Sequence, residues 1–414
     1  MDTQTAPLSA QSASVTRRAV LPLILFAGAI SIFQHYSLSA VMPQVSGSLK
    51  LSLSQMGVAF SALSFAVLAG YPLFGLLLNL TGTRYGYPAV VAGSSVATAA
   101  TASAAGVVGL MIPSALQGLF AGGFAPAAID LIAEWYPVRF HGLAVGLIQA
   151  VLALGAAVAV PALGMAADSW SWRAVMLLAG GLGVLWLPLW LGLVRSSGSR
   201  EPLSFAVLGF PQTWALALGL FFLAPVNAFL FTWFPHYARQ TFGLTRGWIQ
   251  WGGLSGMAVV GVLAVAGGLA SDLLLRSGWS LSKSRTVVAG VCALLASSVA
   301  LLGFVVRAVP ANFLAVVVMG ASLACTTVLY AAVADAGPRR GVAFAAGMGA
   351  FYGLLSTLLC MRLAAIVINR YGFRPMFWIM GVFPLAALAC IVPLCAHMRS
   401  AAEPAPPPLP PTEV

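Results

Sequence analysis

Charged side chains are the scarcest feature of this 414-residue sequence: they occupy 7% of positions, whereas hydrophobic residues occupy 60%. A soluble domain carries about a quarter charged residues, because its surface must be solvated. The composition therefore excludes a water-soluble protein and indicates surfaces that face lipid. Segments of about ten residues with alternating polarity, which build membrane β-barrels, are missing as well. The long segments are apolar all round and predict helices.

Cysteine and histidine are also scarce, with five and four residues. An odd number of cysteines at lipid-buried positions argues against a disulfide framework, and their spacing fits no metal site. The apolar segments contain no acid pair, Ser/His/Asp set or histidine cluster that would support catalysis. We therefore expect no enzyme activity, no metal and no cofactor. The cysteines are interpreted as apolar packing residues: Cys292, Cys325, Cys360, Cys390 and Cys395.

Apolar runs of about 20 residues, the length of one helical membrane span, recur along most of the chain. They predict an all-α membrane protein with twelve transmembrane helices. Ala105 and Gly106 alone separate the third span from the fourth, so the even count rests partly on an internal repeat. The predicted spans are 20–43, 54–78, 87–107, 109–133, 142–165, 174–194, 212–234, 247–270, 286–306, 311–332, 342–366 and 375–396.

Basic residues outnumber acidic ones by 20 to 9, which gives a net charge of +11. They are scattered singly or in pairs through short loops, so they form no patch for nucleic acid. With the amino terminus inside, twelve of the 20 lie in internal segments, and this asymmetry favours cytoplasmic termini. The excess of Arg over Lys, with abundant Ala and Gly, suggests a GC-rich bacterium and hence its inner membrane.

Three landmarks recur in the same order along the chain, at offsets of about two hundred residues. They imply two related six-helix halves, 20–194 and 212–396. We expect 195–211 to be a cytoplasmic linker, 1–19 a cytoplasmic tail, and 397–414 a disordered Pro-rich tail. Parallel repeats of this kind mark a class of secondary transporter whose solute site lies at the midplane between the halves. The matching pairs are Gly75–Arg84 with Gly268–Gly278, Pro137–Gly142 with Pro338–Gly341, and Trp172-Arg173 with Phe373-Arg374.

Five motifs in order carry a family resemblance. Gly268–Arg285 is similar to a GxLSDxLxRRGxS…AR segment, and Trp135–Gly142 is similar to WFPxxERG. Thr232–Thr245 is similar to TWLPxYL…GLS, Leu49–Gly57 to LGLSxxQxG, and Tyr330–Pro338 to a W…D-AP pattern. Over about residues 20–396 the chain thus resembles the major facilitator superfamily. Within it, the chain resembles the anion:cation symporter group of hexuronate, galactonate and sialic-acid carriers.

The resemblance implies a gate at the cytoplasmic ends of the helices. Asp272 and Arg276 are expected to pair there and to close the inside in one conformation. In the first half, Asn79 and Leu80 replace the usual Asp and Arg. The alternative interpretation of these loop motifs is folding and topology. Gly75 would permit a close helix approach and Gly82 a tight turn. Asp130 would pair with Arg84 or Arg139. The candidate gating residues are Gly75, Asn79, Gly82, Arg84, Asp130, Arg139, Asp272, Arg276, Asp335 and Arg339.

The expected solute site departs from the family pattern. The first helix has Gln34–Ser39 where the carriers have Asp-Arg-x-Asn-Leu-Ser, so His35 replaces the Arg that grips the anion and Ser37 replaces the Asn. The coupling Glu of the fourth helix falls near Ala121. The Tyr and Gln of the second helix fall near Val67 and Tyr71. The sequence keeps the family's framework and changes its site.

Polar groups within the spans are the candidates for binding solute, since lipid offers them no hydrogen bonds. His35 would accept a proton together with an anion, or else bond to a neighbouring helix. Arg362 would bind a carboxylate with two hydrogen bonds, or else extend to the headgroups. The other polar residues are alternatively interhelical contacts. The candidates are His35, Ser37, Tyr71, Gln149, Asn227, Tyr330, Tyr352 and Arg362.

The leading hypothesis is a monomeric secondary transporter that moves a small organic solute, a carboxylate, across the membrane by alternating access. Proton coupling would make it a symporter, while uniport and exchange stay open. Loss of the first-helix Arg and the fourth-helix Glu favours a second hypothesis, efflux of an apolar or aromatic compound. A third is a non-transporting receptor built on the same fold.

Overall fold

The apolar runs fold into long α-helices in the computed structural model, which describes residues 10–194, 208–209, 211–336 and 341–396. Those residues contain no β-strand. Eleven helical segments are long and apolar enough to cross a membrane. The helices are α1 (Ala10–Leu49), α2 (Leu53–Thr81), α3 (Thr83–Ala100), α4 (Val107–Ala121), α5 (Phe124–Trp135), α6 (His141–Ser169), α7 (Trp172–Leu193), α8 (Pro211–Phe242), α9 (Arg246–Arg276), α10 (Leu281–Ser297), α11 (Ala308–Ala336), α12 (Val342–Tyr371) and α13 (Phe373–Ala396).

The twelfth span is α3, which is shorter and more polar than the others. Its hydroxyl residues Ser95 and Thr98 are buried, and they donate to carbonyl oxygens one turn earlier in the helix. A 3₁₀ turn at Thr101–Ser103 extends the helix. Because its hydroxyls are satisfied, α3 crosses the bundle in spite of its composition. The prediction of an all-α membrane protein with twelve spans is confirmed.

The fourth span is broken into α4 and α5 at Gly122 and Gly123, where hydropathy predicts one continuous helix. Close packing against α2 accompanies the break. A methyl group on Gly122 would lie 2.8 Å from the Cα of Gly70, and one on Gly118 would collide with a carbonyl oxygen of α2. Small residues four positions apart let two membrane helices approach this closely.

The first helix begins at Ala10, ten residues before the predicted span, and its membrane-spanning part begins near Arg18. Several other helices also extend a turn or more past the predicted limits, because a helix does not end where the apolar run ends. The predicted linker 195–211 lies outside the described residues apart from Leu208, Gly209 and Pro211, and so does the predicted tail 397–414.

Buried hydrophobic side chains of the described residues form three clusters. The largest lies toward the face where α1 begins and α13 ends, here called the terminal face, and it joins both halves, with Phe74 and Phe344 among its members. Toward the opposite face, here called the far face, each half has its own cluster, around Leu38 in the first and Phe377 in the second. The halves therefore share a core at the terminal face and have separate cores at the far face.

Two glycines at equivalent positions of the repeat bring the halves together. Gly75 of α2 lies against α12, where a methyl group would be 3.0 Å from the Cα of Phe344. Gly268 of α9 lies against α6, where a methyl group would collide with the carbonyl oxygen of Gly142. Since α2 corresponds to α9 and α12 to α6, the two contacts are related by the repeat. The two six-helix halves are thus pseudo-symmetric.

Candidate functional site

Four buried ionisable side chains meet at the terminal face. Arg285, at the start of α10, donates from Nε to Asp335 Oδ2 and from Nη1 to Asp272 Oδ1, both at 2.8 Å. His141, at the start of α6, places Nδ1 2.7 Å from Asp335 Oδ1. All four are at most 3% exposed. Arg285, Asp272, Asp335 and His141 are called the gate cluster below.

The gate cluster joins the two halves. Asp272 belongs to the second half, and its carboxylate accepts the backbone N–H groups of Gly142 at 3.1 Å and Leu143 at 2.8 Å, in the first turn of α6. The first N–H groups of a helix lack partners within it, and its positive end favours an anion. Arg285 also donates to the carbonyl oxygen of Val138 at 3.3 Å. These bonds join the two halves at the terminal face.

Burial of this cluster is energetically demanding. Removing charges from water costs several kcal/mol for each ion, and the cost is offset only when opposite charges and hydrogen bonds satisfy every group. Here Arg285 makes four hydrogen bonds, the fourth to Ser271 at 2.9 Å. Separating the halves would return these groups to water.

The predicted pairing of Asp272 with Arg276 is wrong. Both oxygens of Asp272 are occupied by Arg285 and by α6. Arg276, one turn later, is exposed at the edge of the terminal face, which is called the rim below. Its guanidinium donates to the carbonyl oxygen of Arg139 at 2.9 Å and lies 4.6 Å from the ring centroid of Phe140. Arg276 thus bridges the halves by a different contact.

Asn79 is the first-half counterpart of Asp272. Asn79 donates from Nδ2 to the carbonyl oxygen of Gly75 at 2.7 Å, within its own helix. Gly82 joins α2 to α3 with a φ of 80°, a backbone conformation that favours glycine. The close approach at Gly75 and the tight turn at Gly82 have the expected geometry, while their part in gating stays a prediction.

Three further gating candidates are less defined. Arg84 lies 5.5 Å from the ring centroid of Tyr85. Pairing of Asp130 with Arg84 or Arg139 stays a prediction. Arg339 lies outside the described residues.

From the separate far-face clusters of the two halves we infer a cleft between the halves on that side. The approach of α6 to α9 includes Gly261, where a methyl group would lie 3.3 Å from the Cα of Ala150, and Ala153 of α6 packs against the far-face cluster of the second half. Nearer the far face, Gly164 of α6 has the Ala40 carbonyl of its own half as its neighbour, and Gly253 of α9 has no described neighbour within 4 Å.

Helix periodicity places Arg362 on the side of α12 that carries Phe344. Eighteen residues separate it from Phe344, which is five turns of about 3.6 residues. Phe344 lies against Gly75 of the other half, so Arg362 returns to the same side of the helix, nearer the far face. Its side chain is exposed. Its part in binding solute stays a prediction.

Gln34 of α1 is a buried hydrogen-bond centre within the first half. Its Nε2 donates to Ser95 Oγ at 2.9 Å and to the Ala179 carbonyl at 3.1 Å, and its Oε1 accepts from Ser94 at 2.7 Å. Its backbone carbonyl accepts from Gln117 at 2.6 Å. These bonds hold α1 against α3, α4 and α7. Gln34 is thus saturated by protein groups.

His35 and Ser37 differ in what they offer a solute. Ser37 is fully buried and donates to the Gln34 carbonyl at 2.7 Å, so its hydroxyl is used within α1. His35 is half-buried, its ring in edge contact with Tyr36. Ser39 lies on the same side of the helix as His35, one turn nearer the far face, and Ser39 is exposed. His35 is therefore near the cleft, whereas Ser37 is not available to it.

The remaining polar candidates divide between the cleft and the helix contacts. Asn227 donates to Ser322 Oγ at 2.9 Å, a bond between α8 and α11 of one half. Tyr352 packs on Trp214, also within the second half. Two tyrosines from opposite halves, Tyr71 and Tyr330, lie close enough to interact electrostatically. Gln149 is half-buried on α6, next to the residue that approaches α9.

Sequence reasoning missed three residues of importance: Arg285, His141 and Gln34. Arg285 ends the longest family-like motif and His141 lies inside a repeat landmark, so both had a positional signal. Neither falls in the middle of a predicted span, where an ionisable residue draws attention. Gln34 had a signal as well, since it is a polar residue within the first span at the family's Asp position, but its partners lie 60 to 145 residues away in the chain.

A two-half helical bundle with a charged gate at one face and a cleft at the other defines a membrane carrier. The chain belongs to the Major Facilitator Superfamily, whose model matches residues 24–354. It is a transporter and not an enzyme. A hexuronate transporter of Bacillus subtilis (strain 168) is 26% identical over 411 residues, covering 90% of this chain and 94% of the relative. A D-galactonate transporter of Escherichia coli (strain CFT073) is 25% identical over 426 residues, covering 93% and 97%.

Solved structures share the fold. The human organic anion transporter MFSD10 has a TM-score of 0.69 at 14% identity and covers 91% of this chain and 99% of its own. The Escherichia coli fucose:proton symporter FucP has a TM-score of 0.69 at 14% identity, with coverages of 92% and 98%. At this identity the likeness concerns the fold alone.

Proposed function

We propose that this protein is a secondary transporter that carries small organic acids, of the sugar-acid class, across a bacterial inner membrane by alternating access. The observation that carries the proposal is Arg362, an exposed guanidinium on the Phe344 side of α12. Arg binds carboxylates through two parallel hydrogen bonds. Relatives that transport hexuronate and D-galactonate, both carboxylates, match nearly the whole chain.

The terminal face is proposed to be the cytoplasmic one. Twelve of the 20 basic residues lie in segments on that side of the predicted topology, and an excess of Lys and Arg marks cytoplasmic loops. The arrangement described above would then be closed to the cytoplasm and open to the outside. An organic acid would enter the cleft from the outside and meet Arg362 and His35.

Uptake into proteoliposomes tests the solute class. The panel contains labelled hexuronates, aldonates, a neutral hexose and an aromatic compound, each with and without a pH gradient. Saturable uptake of a sugar acid, competed by other sugar acids and not by the hexose, is expected. Uptake driven by the gradient would establish proton symport. Transport of the aromatic compound alone would support efflux, and saturable binding without flux would support a receptor.

Arg362→Gln tests the site. Hydrogen bonds to a charged group contribute about 1.5–3 kcal/mol, so KM for the carboxylate should rise roughly tenfold to a hundredfold. Arg370→Gln is the matched control, because Arg370 is an exposed arginine in the last turn of the same helix. Equal KM values for the two variants would remove Arg362 from the site.

His35 is proposed as the second solute contact. It lies on the first helix, at the position where the carriers it resembles have an Arg. A neutral imidazole would accept a hydrogen bond from a hydroxyl of the solute or take up a proton with it. His35→Ala should therefore weaken uptake or change its dependence on pH. If both remain as in the unmodified protein, His35 has no part in transport.

A further inference from the structure

Both ring nitrogens of His141 face hydrogen-bond acceptors. Nε2 lies 2.9 Å from the carbonyl oxygen of Tyr136, and Nδ1 lies 2.7 Å from Asp335 Oδ1. A carbonyl has no hydrogen to donate, so Nε2 must carry one. A neutral imidazole carries a single N–H. The short contact between Nδ1 and the carboxylate therefore requires a second proton, shared by His141 and Asp335.

The total charge of the gate cluster also indicates that this second proton is present between His141 and Asp335. Arg285 contributes one positive charge and Asp272 one negative charge. If His141 and Asp335 share the second proton, that pair is neutral whichever atom holds it, and the whole cluster is neutral. Without it the cluster has a net negative charge at a site where every member is at most 3% exposed. An uncompensated buried charge is strongly unfavourable.

Among the described residues, the recorded contacts of the other charged groups near His141 lie outside the cluster, and Arg139 lies 5.8 Å from the ring centroid of Phe140. Arg276 of α9 points to the rim, where it binds the Arg139 carbonyl and Phe140. Glu134 of α5 accepts from the hydroxyl of Thr83 on α3 at 2.6 Å. Lys283 of α10 is exposed. Beyond α11, Arg339 and Arg340 lie outside the described residues.

We propose that His141 and Asp335 form a proton-binding site of the gate, which takes up one proton as the halves close at the terminal face. His141 belongs to the first half and Asp335 to the second, so opening separates them. Because the closed cluster is buried, the proton is exchanged with water on the terminal side when the gate opens. This proposal rests on the proposed function only in that closing of the terminal face is one step of transport.

The coupling between proton binding and closure of the terminal face has a definite sign. Proton binding stabilises the closed state, so acid on the terminal side favours closure and alkali favours opening. One linked proton changes the ratio of closed to open molecules by up to about tenfold for each pH unit.

Distances between spin labels measure the ratio of closed to open molecules in the absence of solute. Thr81 and Ser277 are exposed at the terminal face on opposite halves, and both are replaced by Cys in a background that lacks the five native cysteines. Double electron–electron resonance should show a short-distance population that shrinks as the pH rises. A distance distribution that does not change with pH would overturn the proposal, with no substitution at the gate needed.

Two variants of His141 test whether this residue causes the pH dependence of the distance distribution. His141→Arg has a fixed positive charge and should keep the short distance at every pH. His141→Gln lacks the imidazole and should show a reduced short-distance population with a weaker dependence on pH, since only Asp335 can still bind a proton. If His141→Gln retains the original pH dependence, the proton is bound elsewhere. Failure to transport any organic acid would overturn the proposed function and leave this measurement valid.

Discussion

The guanidinium of Arg285 lies between two buried carboxylates, and its loss would leave Asp272 without a charged partner and Asp335 with His141 alone. Breaking a buried ion pair by removing one partner costs about 3–5 kcal/mol. Arg285→Leu should therefore lower the free energy of unfolding by about that amount. Denaturant unfolding of the purified protein in detergent, followed by tryptophan fluorescence, measures the change.

Lys283→Leu is the control for this variant. Lys283 lies two residues earlier in the same helix turn, and it is exposed. Surface substitutions away from such networks usually change stability by less than about 0.5 kcal/mol. Equal losses in the two variants would mean that the ion pairs of Arg285 contribute nothing to the folded state.

At the residue scale, the sequence identified the types of group in the site better than their partners. Asp272 and Asp335 were both predicted to act in the gate, and both lie in the gate cluster. The predicted partner of Asp272 was wrong. Helix spacing favours Arg276, one turn away, whereas the observed partner Arg285 contacts Asp272 from beyond the loop that joins α9 to α10. Contacts between helices depend on how the helices pack, which one sequence does not display.

At the element scale, α6 and α9 are in contact along their backbones at Gly142 and Gly268. Gly268→Ala places a methyl group against the Gly142 carbonyl. Overpacking of this kind costs about 1–3 kcal/mol, and separating the halves relieves it. The ratio of closed to open molecules should fall roughly tenfold to a hundredfold, and transport should slow. The spin-label distance across the terminal face measures the ratio.

Gly253→Ala is the matched control on the same helix, since a methyl group there meets no described atom within 4 Å. It should leave the distance distribution unchanged, and helix propensity favours Ala over Gly. A distribution for Gly268→Ala identical to this control would show that the glycine contact does not limit closure.

Hydropathy predicted the spans well, because the bilayer imposes the same length and polarity on every spanning helix. It did not predict the break between α4 and α5. That break depends on Gly122 and Gly123 meeting α2, and hydropathy treats glycine as a neutral residue of a long apolar run. It also missed the polar character of α3, whose hydroxyls are satisfied inside the bundle.

At the scale of the whole molecule, the repeat predicted the two halves from three short landmarks, because duplication preserves the order of motifs. It did not predict which face is closed. A carrier of this kind uses one sequence for a closed and an open terminal face, so the sequence must be compatible with both. The shared core around Phe74 and Phe344 identifies the closed arrangement only once the halves are packed.

Alternating access requires the closed terminal face to open in every transport cycle, and the rim offers a way to prevent this. The Arg276 guanidinium contacts the Arg139 carbonyl across the halves at 2.9 Å, so the two positions lie within reach of a short bis-maleimide. Exposed contacts of this kind contribute about 0–1 kcal/mol. Arg139→Cys/Arg276→Cys in the cysteine-free background should therefore transport before cross-linking.

Cross-linking these two cysteines should abolish uptake and leave binding of the solute from the far side intact, because the cleft there is formed without the terminal face opening. Each single-cysteine variant, treated with the same reagent, controls for modification of the rim and should keep its uptake rate. Uptake by the cross-linked protein at the rate of the single variants would contradict alternating access, since solute would then pass with the halves held together at the terminal face.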